Sequence, residues 1–172
     1  MTKTFMLWTF AERPPVAPVP PAGATIEAIR DTDLPAVAQL MVDGYRGTID
    51  SEGETDDDAL DELRGAIDGA NGETMPDAWL LARTTDGLPA SALATIRWRG
   101  MPFISYVFTA AAEKGRGYAG ALIEQAAGTL AAAGETEFAL FVTDGNPARS
   151  LYERLGFVEA EVPAEPGVPL PA

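Results

Sequence analysis

The residues best suited to chemistry form a glycine-rich segment, Lys114-Gly-Arg-Gly-Tyr-Ala-Gly120, between a predicted strand and a long amphipathic helix. Glycines let the backbone of a turn approach a ligand closely, and a helix N-terminus presents free N–H groups at the positive end of its dipole. Lys114 and Arg116 add positive charge beside these groups, and we expect that charge to be mobile. The segment is therefore typical of a site for a phosphorylated ligand. The alternative is a turn that only begins the helix.

The same glycines, Gly115, Gly117 and Gly120, have the spacing of a dinucleotide-binding fingerprint. Two features argue against that interpretation. The fingerprint begins where its strand ends, whereas residues 110–114 intervene here, and the acidic residue that should bind the ribose stands at the end of the next strand, whereas Glu137 begins one. We therefore do not expect a dinucleotide.

The composition excludes several kinds of catalytic and binding site. The 172-residue chain contains neither histidine nor cysteine, which removes a Ser-His-Asp triad, a cysteine nucleophile and the usual zinc and haem ligands. We expect no metal. A formal net charge of −14 argues against nucleic-acid binding, which depends on basic side chains. No apolar run reaches the roughly 18 residues that a membrane span needs, and the first apolar cluster is too short for a signal peptide, so a cytoplasmic protein is expected.

Hydrophobic periodicity and turn signals predict an α/β sandwich around one mixed sheet. Asp33 is a plausible N-cap for the first helix, Asp86-Gly87 is typical of a hairpin, and Gly134 is a natural helix stop. Helices are predicted at 33–45, 57–68, 117–133 and 146–155. Strands are predicted at 25–30, 79–82, 92–98, 103–109, 138–143 and 157–162. The domain interpretation has a strand and Pro-rich arm over 1–22, the main domain over 23–163 and a Pro-rich tail over 164–172.

Two motifs in this frame resemble a known family. The strand, loop, Lys-Gly-Arg-Gly-Tyr-Ala segment and amphipathic helix resemble motif A of the GNAT acetyltransferase superfamily. The segment Asn146-Pro-Ala-Arg-Ser-Leu-Tyr-Glu-Arg-Leu-Gly-Phe157 resembles its motif B. The motif A pattern, Gln/Arg-x-x-Gly-x-Gly/Ala, falls on Lys114, Gly117 and Ala119, where Lys114 is a conservative departure. The resemblance covers roughly residues 25–162 and implies a mostly antiparallel central sheet with helices on both faces.

The resemblance implies transfer of acetyl from acetyl-CoA to a primary amine of a small molecule or peptide, by direct attack in a ternary complex. Asn146 would contact the pantetheine arm, although an N-cap role before Pro147 explains this residue type equally well. The backbone of the preceding strand would hydrogen-bond the same arm, and backbone amides of the turn would hold the pyrophosphate. These strand residues are Val107, Phe108 and Thr109, and these turn residues are Gly115, Arg116, Gly117, Tyr118, Ala119 and Gly120, with Lys114 beside them.

Tyr152 is the candidate catalytic residue. In the family a tyrosine at this position protonates the departing CoA thiolate; the alternative is a core tyrosine on the apolar helix face. A phenol has an unperturbed pKa near 10 and so keeps its proton at neutral pH. A strand amide near Phe108 or Thr109 would stabilise the oxyanion. A carboxylate acting through water would be the base, and the sequence leaves several candidates equal. They are Glu52, Glu54 and Asp144.

The region between Asp50 and Glu73 holds ten acidic residues and one basic residue, Arg64. In relatives the corresponding region lines the acceptor entrance, so we expect an amine that carries additional positive charge. The alternatives are a solvated surface, or an acidic face that docks a basic partner. A CoA-binding regulatory or interaction module without catalysis is the rival function, and Tyr152 argues against it. The protein is expected to be a monomer or homodimer.

Overall fold

Residues 2–167 are described by a computed structural model in which helices flank one mixed sheet. The helices are α1 (Leu34–Tyr45), α2 (Asp56–Ile67), α3 (Tyr118–Ala132) and α4 (Arg149–Leu155). The strands are β1 (Lys3–Thr9), β2 (Thr25–Ala28), β3 (Glu73–Thr74), β4 (Leu80–Arg83), β5 (Pro89–Trp98), β6 (Met101–Thr109), β7 (Glu137–Thr143) and β8 (Val158–Glu159). Short 3-10 helices lie at Asp31–Asp33, Pro76–Ala78 and Ala111–Glu113. The last five residues of the predicted tail lie outside the described range.

The strand order is β2-β4-β5-β6-β7-β1-β8, with the two-residue β3 beside β5. Within residues 2–167 the pairings are antiparallel except for β6 with β7, which run parallel. The predicted fold class, a mixed and mostly antiparallel sheet, is therefore confirmed. The hairpin predicted at Asp86-Gly87 joins β4 to β5, and a tight turn after Trp98 joins β5 to β6.

Two hydrophobic clusters cover the two faces of the sheet. One contains the apolar side chains of α3 and α4, and the other those of α1 and α2. Ala92 and Leu93 are adjacent in β5 and lie in different clusters, as the period-two alternation of a strand requires. Helices thus pack on both faces, which leaves functional groups to collect at the ends of the strands.

The N-terminal strand lies inside the sheet. All seven residues of β1 pair antiparallel with β7, from Lys3↔Thr143 to Thr9↔Glu137. Its other edge pairs with β8 at Met6 and Leu7. Trp8 is 1% exposed and packs against the ring of Phe157. The strand therefore supports β7, whose last residue belongs to the site described below.

Several element ends differ from the sequence-based expectation. Asp33 precedes α1 as expected, but its carboxylate accepts from the Arg30 N–H at 2.8 Å and from Arg83 at 3.0 Å instead of capping a helix amide. The helix α4 begins at Arg149 and not at Pro147, because residues 147 and 148 form a turn first. The final strand is shorter than predicted, since β8 is an edge strand with one neighbour.

Candidate active site

The turn between β6 and α3 presents backbone donors to open space. Gly117 is the N-cap of α3 at φ +94°, a left-handed conformation that favours glycine, and it supplies no side-chain cap. The first helix amides, those of residues 118–120, therefore depend on another acceptor. A Cβ placed on Gly115 or Gly117 would meet no atom within 4 Å. The turn consequently has both the free N–H groups and the room that a phosphate needs.

The charged side chains of this turn are more restrained than the sequence suggested. The Lys114 ammonium donates to the Gly44 carbonyl of α1 at 2.7 Å, so it is not the mobile charge we expected. Arg116 is 63% exposed and pairs with Glu113 at 3.3 Å. On the same side the Asp43 carboxylate accepts from the Ala111 N–H at 2.8 Å. The last turn of α1 therefore fixes the loop that leads to the phosphate turn.

The contact between α1 and β6 requires a glycine. A Cβ on Gly44 would lie 2.8 Å from the carbonyl oxygen of Thr109 and 3.2 Å from the Cβ of Phe108. Any larger residue would push α1 away from the end of β6. Because the Gly44 carbonyl also holds Lys114, this approach couples the position of α1 to that of the turn.

A gap opens between β6 and β7. Although the two strands run parallel, their register contains one pair, Phe103↔Ala139. The ladder between β5 and β6 shifts near Ala94 and Thr95, which pair with Tyr106 and Ile104 and leave Ser105 as an extra residue. A β-bulge of this kind bends its strand. Beyond the bulge the second half of β6 continues beside β7 without pairing to it.

The direction of each amide along this part of β6 follows from its hydrogen bonds. The Ala110 N–H donates to the Ala90 carbonyl at 2.8 Å, and antiparallel ladders alternate between bonded and non-bonded pairs. The backbone N–H and C=O of Phe108 therefore point to β5, and the carbonyl accepts from the Ser91 hydroxyl at 2.9 Å. Val107 and Thr109 direct their N–H and C=O groups into the gap. Of the three predicted pantetheine contacts, these two have backbone groups that no strand within residues 2–167 pairs with, although the Thr109 carbonyl lies close to Gly44 of α1. The ring of Phe108 packs against α1.

Tyr152 lies on α4 at the edge of the core. Its side chain is 7% exposed and its ring packs on Phe157 at a centroid distance of 6.0 Å. No group within residues 2–167 forms a hydrogen bond with its hydroxyl. Burial, and secondly the charge of Asp50, raises the pKa of Tyr152 to about 12. The residue is thus buried, with a hydroxyl that is protonated and has no partner within residues 2–167.

Asp50 is a further carboxylate at this site, and no sequence pattern identified it as a candidate base. It precedes α2 and accepts from the Thr143 hydroxyl at 2.7 Å and from the Asn146 side-chain amide at 2.8 Å. Burial raises the pKa of Tyr45 above its usual range, with the charges of Tyr152 and Asp50 adding to the effect. Asp50 therefore lies where α1, β7 and α4 meet. Its partners are more than ninety residues away in sequence, so no local motif could identify it.

Asn146 has a different role from the expected N-cap. Its side-chain oxygen accepts from the Ala148 N–H at 2.9 Å, which holds the turn before α4, and Ala148 itself occupies the N-cap position. Its side-chain N–H₂ group is directed to Asp50. The residue thus joins the start of α4 to the loop before α2.

The three base candidates taken from the sequence have other contacts. Asp144 is exposed and accepts from the Thr4 hydroxyl at 2.8 Å. Glu54 accepts from the backbone N–H of Glu52 at 3.2 Å, and Glu52 is exposed. Nothing in these contacts directs any of the three to Tyr152.

Most of the acidic stretch, residues 50–73, faces solvent. Asp58 closes a capping box with Thr55 at the start of α2, a role that helix geometry alone explains. Glu62 is also exposed, and it accepts from the Tyr106 hydroxyl of β6 at 2.8 Å. Asp50 and Glu62 therefore contact side chains of the sheet, and Glu73 lies in strand β3.

Across residues 2–167 no three acidic side chains come close enough together to hold a metal ion. None of the helices in this part of the chain has the length and apolar character needed to cross a bilayer.

Comparison with known proteins finds one matching family model and several solved structures with a similar fold. The family model described as FR47-like protein matches residues 85–163, which include the turn, Asn146 and Tyr152. No curated protein sequence matches the chain. Among solved structures, a GCN5-related N-acetyltransferase from Sphaerobacter thermophilus is similar, with 25% identity, a TM-score of 0.73 and 92% of this chain covered. The chain spans about half of that protein, 48% of its length.

Two further structures share the fold. A GNAT family acetyltransferase from Brucella melitensis, solved in complex with acetyl-CoA, has 20% identity and a TM-score of 0.61 over 83% of this chain and 92% of its own. An aminoglycoside 6'-N-acetyltransferase from Acinetobacter baumannii has 20% identity and a TM-score of 0.62 over 86% of this chain and 99% of its own. The family model covers a little under half of the chain, residues 85–163, and the structural likenesses show that the chain has the fold of the GCN5-related N-acetyltransferases, the GNAT fold.

Proposed function

We propose that the protein transfers the acetyl group of acetyl-CoA to a primary amine of a small molecule or peptide, by direct attack in a ternary complex. The observation that carries the proposal is the gap between β6 and β7, which leads directly to the uncapped N-terminus of α3. An extended, phosphorylated thioester matches both parts. Its arm would pair with a strand edge, and its pyrophosphate would meet the helix amides.

The residues of the turn fit the pyrophosphate of CoA. Backbone N–H groups of residues 115–120 would bind it, and Arg116 lies exposed beside them. Lys114 would act mainly by holding the turn to α1, since its ammonium is bonded to Gly44. Val107 and Thr109 would hydrogen-bond the pantetheine arm in a β-like manner. Asn146 stands at the opposite side of the gap, where it would contact the same arm.

The chemistry needs an oxyanion donor and a proton for the leaving group. The backbone N–H of Val107 or Thr109 supplies the donor, because both face the gap, whereas the Phe108 N–H faces β5. Tyr152 supplies the proton, since its hydroxyl is protonated and has no partner within residues 2–167. Donating it to the thiolate sulfur as the C–S bond breaks stabilises the leaving group.

The acceptor is proposed to carry positive charge beyond its reacting amine. The acidic stretch, residues 50–73, lies beside the gap through Asp50 and Glu62, and its field would raise the encounter rate of cationic molecules. Polyamines, aminoglycosides and basic peptides are the first compounds to test. An aminoglycoside acetyltransferase is among the proteins that share the fold.

Titration calorimetry tests the cosubstrate. We expect heat on addition of acetyl-CoA at micromolar concentrations and none with NAD, which shares the pyrophosphate but lacks the pantetheine arm. Equal or tighter binding of NAD would overturn the proposal. A mass-spectrometric screen of an amine library with acetyl-CoA then tests transfer. Binding of acetyl-CoA without transfer to any amine would favour the non-catalytic module instead.

A further inference from the structure

We infer that Asp50 is the group that binds the acceptor amine and takes its proton. The inference rests on the proposed function and names the acceptor-side residue of the same site. It goes beyond the family motifs, since Asp50 lies outside both of them. The observations that carry it are the position of Asp50 across the gap from the free strand amides, its hydrogen bonds and its neighbours.

The strand register locates Asp50 relative to the reacting thioester. Counting four residues along each parallel strand from the pair Phe103↔Ala139 brings Val107 about level with Thr143, which is bonded to Asp50. The bulge at Ser105 shifts this level by about one residue. Through its bond to Thr143, Asp50 therefore lies on the β7 side of the gap, at about the level of Val107 on the β6 side.

The hydrogen bonds of Asp50 prepare it for this role. Each carboxylate oxygen accepts one donor, from Thr143 and from Asn146, which fixes the orientation of the group. A carboxylate oxygen has two lone pairs, so each keeps one for an incoming ammonium. Two of the titratable groups that its charge affects are Tyr45 of α1 and Tyr152 of α4, both of which are neutral phenols at neutral pH. Asp50 thus supplies the negative charge between them.

The proton transfers balance with two protein groups. The ammonium of the acceptor gives one proton to Asp50, which releases it to solvent, and the neutral nitrogen attacks the acetyl carbonyl carbon. A second proton leaves the nitrogen for Asp50 as the C–S bond breaks. Tyr152 gives its phenolic proton to the sulfur and is reprotonated from Asp50 or solvent. One proton ends on the thiol and one in solvent.

Asp50→Asn in the full-length chain tests the inference. The acceptors are spermidine, kanamycin and a lysine-rich peptide, and the one that wild type acetylates fastest is used. We expect kcat/KM at neutral pH to fall about 100-fold or more, the usual size of a general-base contribution, with acetyl-CoA affinity unchanged by calorimetry. Because more of the amine is neutral at about pH 9, the loss should shrink there. Asp50→Glu should recover part of the activity.

Two further variants separate a catalytic role from a merely structural one. Thr143→Val removes one hydrogen bond to Asp50 but keeps its charge, and should cost less than about tenfold. Asp77→Asn makes the same change at an exposed carboxylate outside the site and should behave as wild type. An Asp50→Asn loss that is equalled by Thr143→Val, or that is the same at every pH, would overturn the inference.

The two proposals fail in different ways. A wild-type chain that binds no acetyl-CoA removes the proposed function and this inference with it. A wild-type chain that acetylates an amine, together with an Asp50→Asn variant of similar kcat/KM, overturns this inference alone.

Discussion

The two sides of the gap are built in different ways. On the proposed cosubstrate side the groups that would face the ligand are backbone amides, held by a glycine-containing turn and the start of α3. On the proposed acceptor side the group would be the side chain of Asp50, held by Thr143 and Asn146 from two other segments. The first side depends on local chain geometry and the second on tertiary contacts. Substitutions should therefore act by different physical routes on the two sides.

Gly117→Asp should have the largest effect, and it acts on the cosubstrate side. The new carboxylate would stand at the N-cap of α3 and accept the helix amides that should bind phosphate. Since hydrogen bonds to charged groups are worth about 1.5–3 kcal/mol each, acetyl-CoA affinity should fall by at least about 100-fold. Calorimetry measures this loss directly. The fold should survive, because the cap offsets part of the roughly 1–2 kcal/mol cost of a left-handed residue.

Gly134→Asp is the matched control at the opposite end of α3. Gly134 also has positive φ, at +91°, and a Cβ there would meet no atom within 4 Å. This substitution should lower the melting temperature but leave acetyl-CoA affinity unchanged. Similar losses of affinity in both variants would show that the effect is general destabilisation.

Tyr152→Phe should also have a large effect and should separate binding from turnover. The ring and its packing on Phe157 remain, so only the donated proton is lost. We expect kcat to fall by about 10²–10⁴-fold with little change in acetyl-CoA affinity, measured by thiol release and calorimetry. Tyr106→Phe, which removes a phenol that is bonded to Glu62, should cost less than about tenfold.

The pH dependence provides a second readout for Tyr152. Because its pKa is raised to about 12, the phenol stays protonated through the range in which enzymes are usually assayed. Any change in wild-type turnover below about pH 10 should therefore come from a group other than Tyr152. The same change should remain in Tyr152→Phe. Above about pH 10 an unfolded tyrosine loses its proton, whereas the folded state keeps the Tyr152 proton up to about pH 12. Tyr152 therefore lowers the free energy of unfolding as the pH rises through this range and has no such effect at lower pH. Unchanged turnover in Tyr152→Phe would mean that water protonates the thiolate.

The difference between the two sides also explains how much the sequence predicted. The glycine pattern, the helix after it and the strand before it are local features, so the turn and most element positions were predictable from periodicity. The meander of β4, β5 and β6 followed from turn signals in the same way. The strand β3 was not predicted, because its two residues are too few to show a hydrophobic pattern.

The acceptor side was not predictable for the opposite reason. Asp50 resembles its acidic neighbours in sequence, and only folding brings it to Thr143 and Asn146. The direction of the β6 amides also depends on the bulge and on pairing with β5, which sequence does not reveal. Likewise, the hydrogen bond from Lys114 to the Gly44 carbonyl depends on the close approach of α1 to the end of β6.

The smallest effect is expected from the exposed part of the acidic stretch, through long-range attraction. Reversing the charges of Glu52, Glu54 and Asp56 to lysine should lower kcat/KM for a cationic acceptor by about three- to tenfold, because electrostatic steering raises encounter rates by tenfold or more. For wild type, kcat/KM should also fall as salt rises, since charges are screened over about 8 Å at physiological ionic strength. Acetyl-CoA affinity should hardly change in either case.

A triple reversal of the same size at Glu12, Asp77 and Asp86, exposed acids outside the stretch, separates a local field from net charge. If steering is local, this control should keep nearly wild-type kcat/KM, and the salt dependence should be weaker in the first variant than in the control. Equal behaviour of the two variants, or kinetics insensitive to salt, would mean that residues 51–73 only keep the protein in solution. In that case acceptor recognition would depend on short-range contacts, foremost those of Asp50.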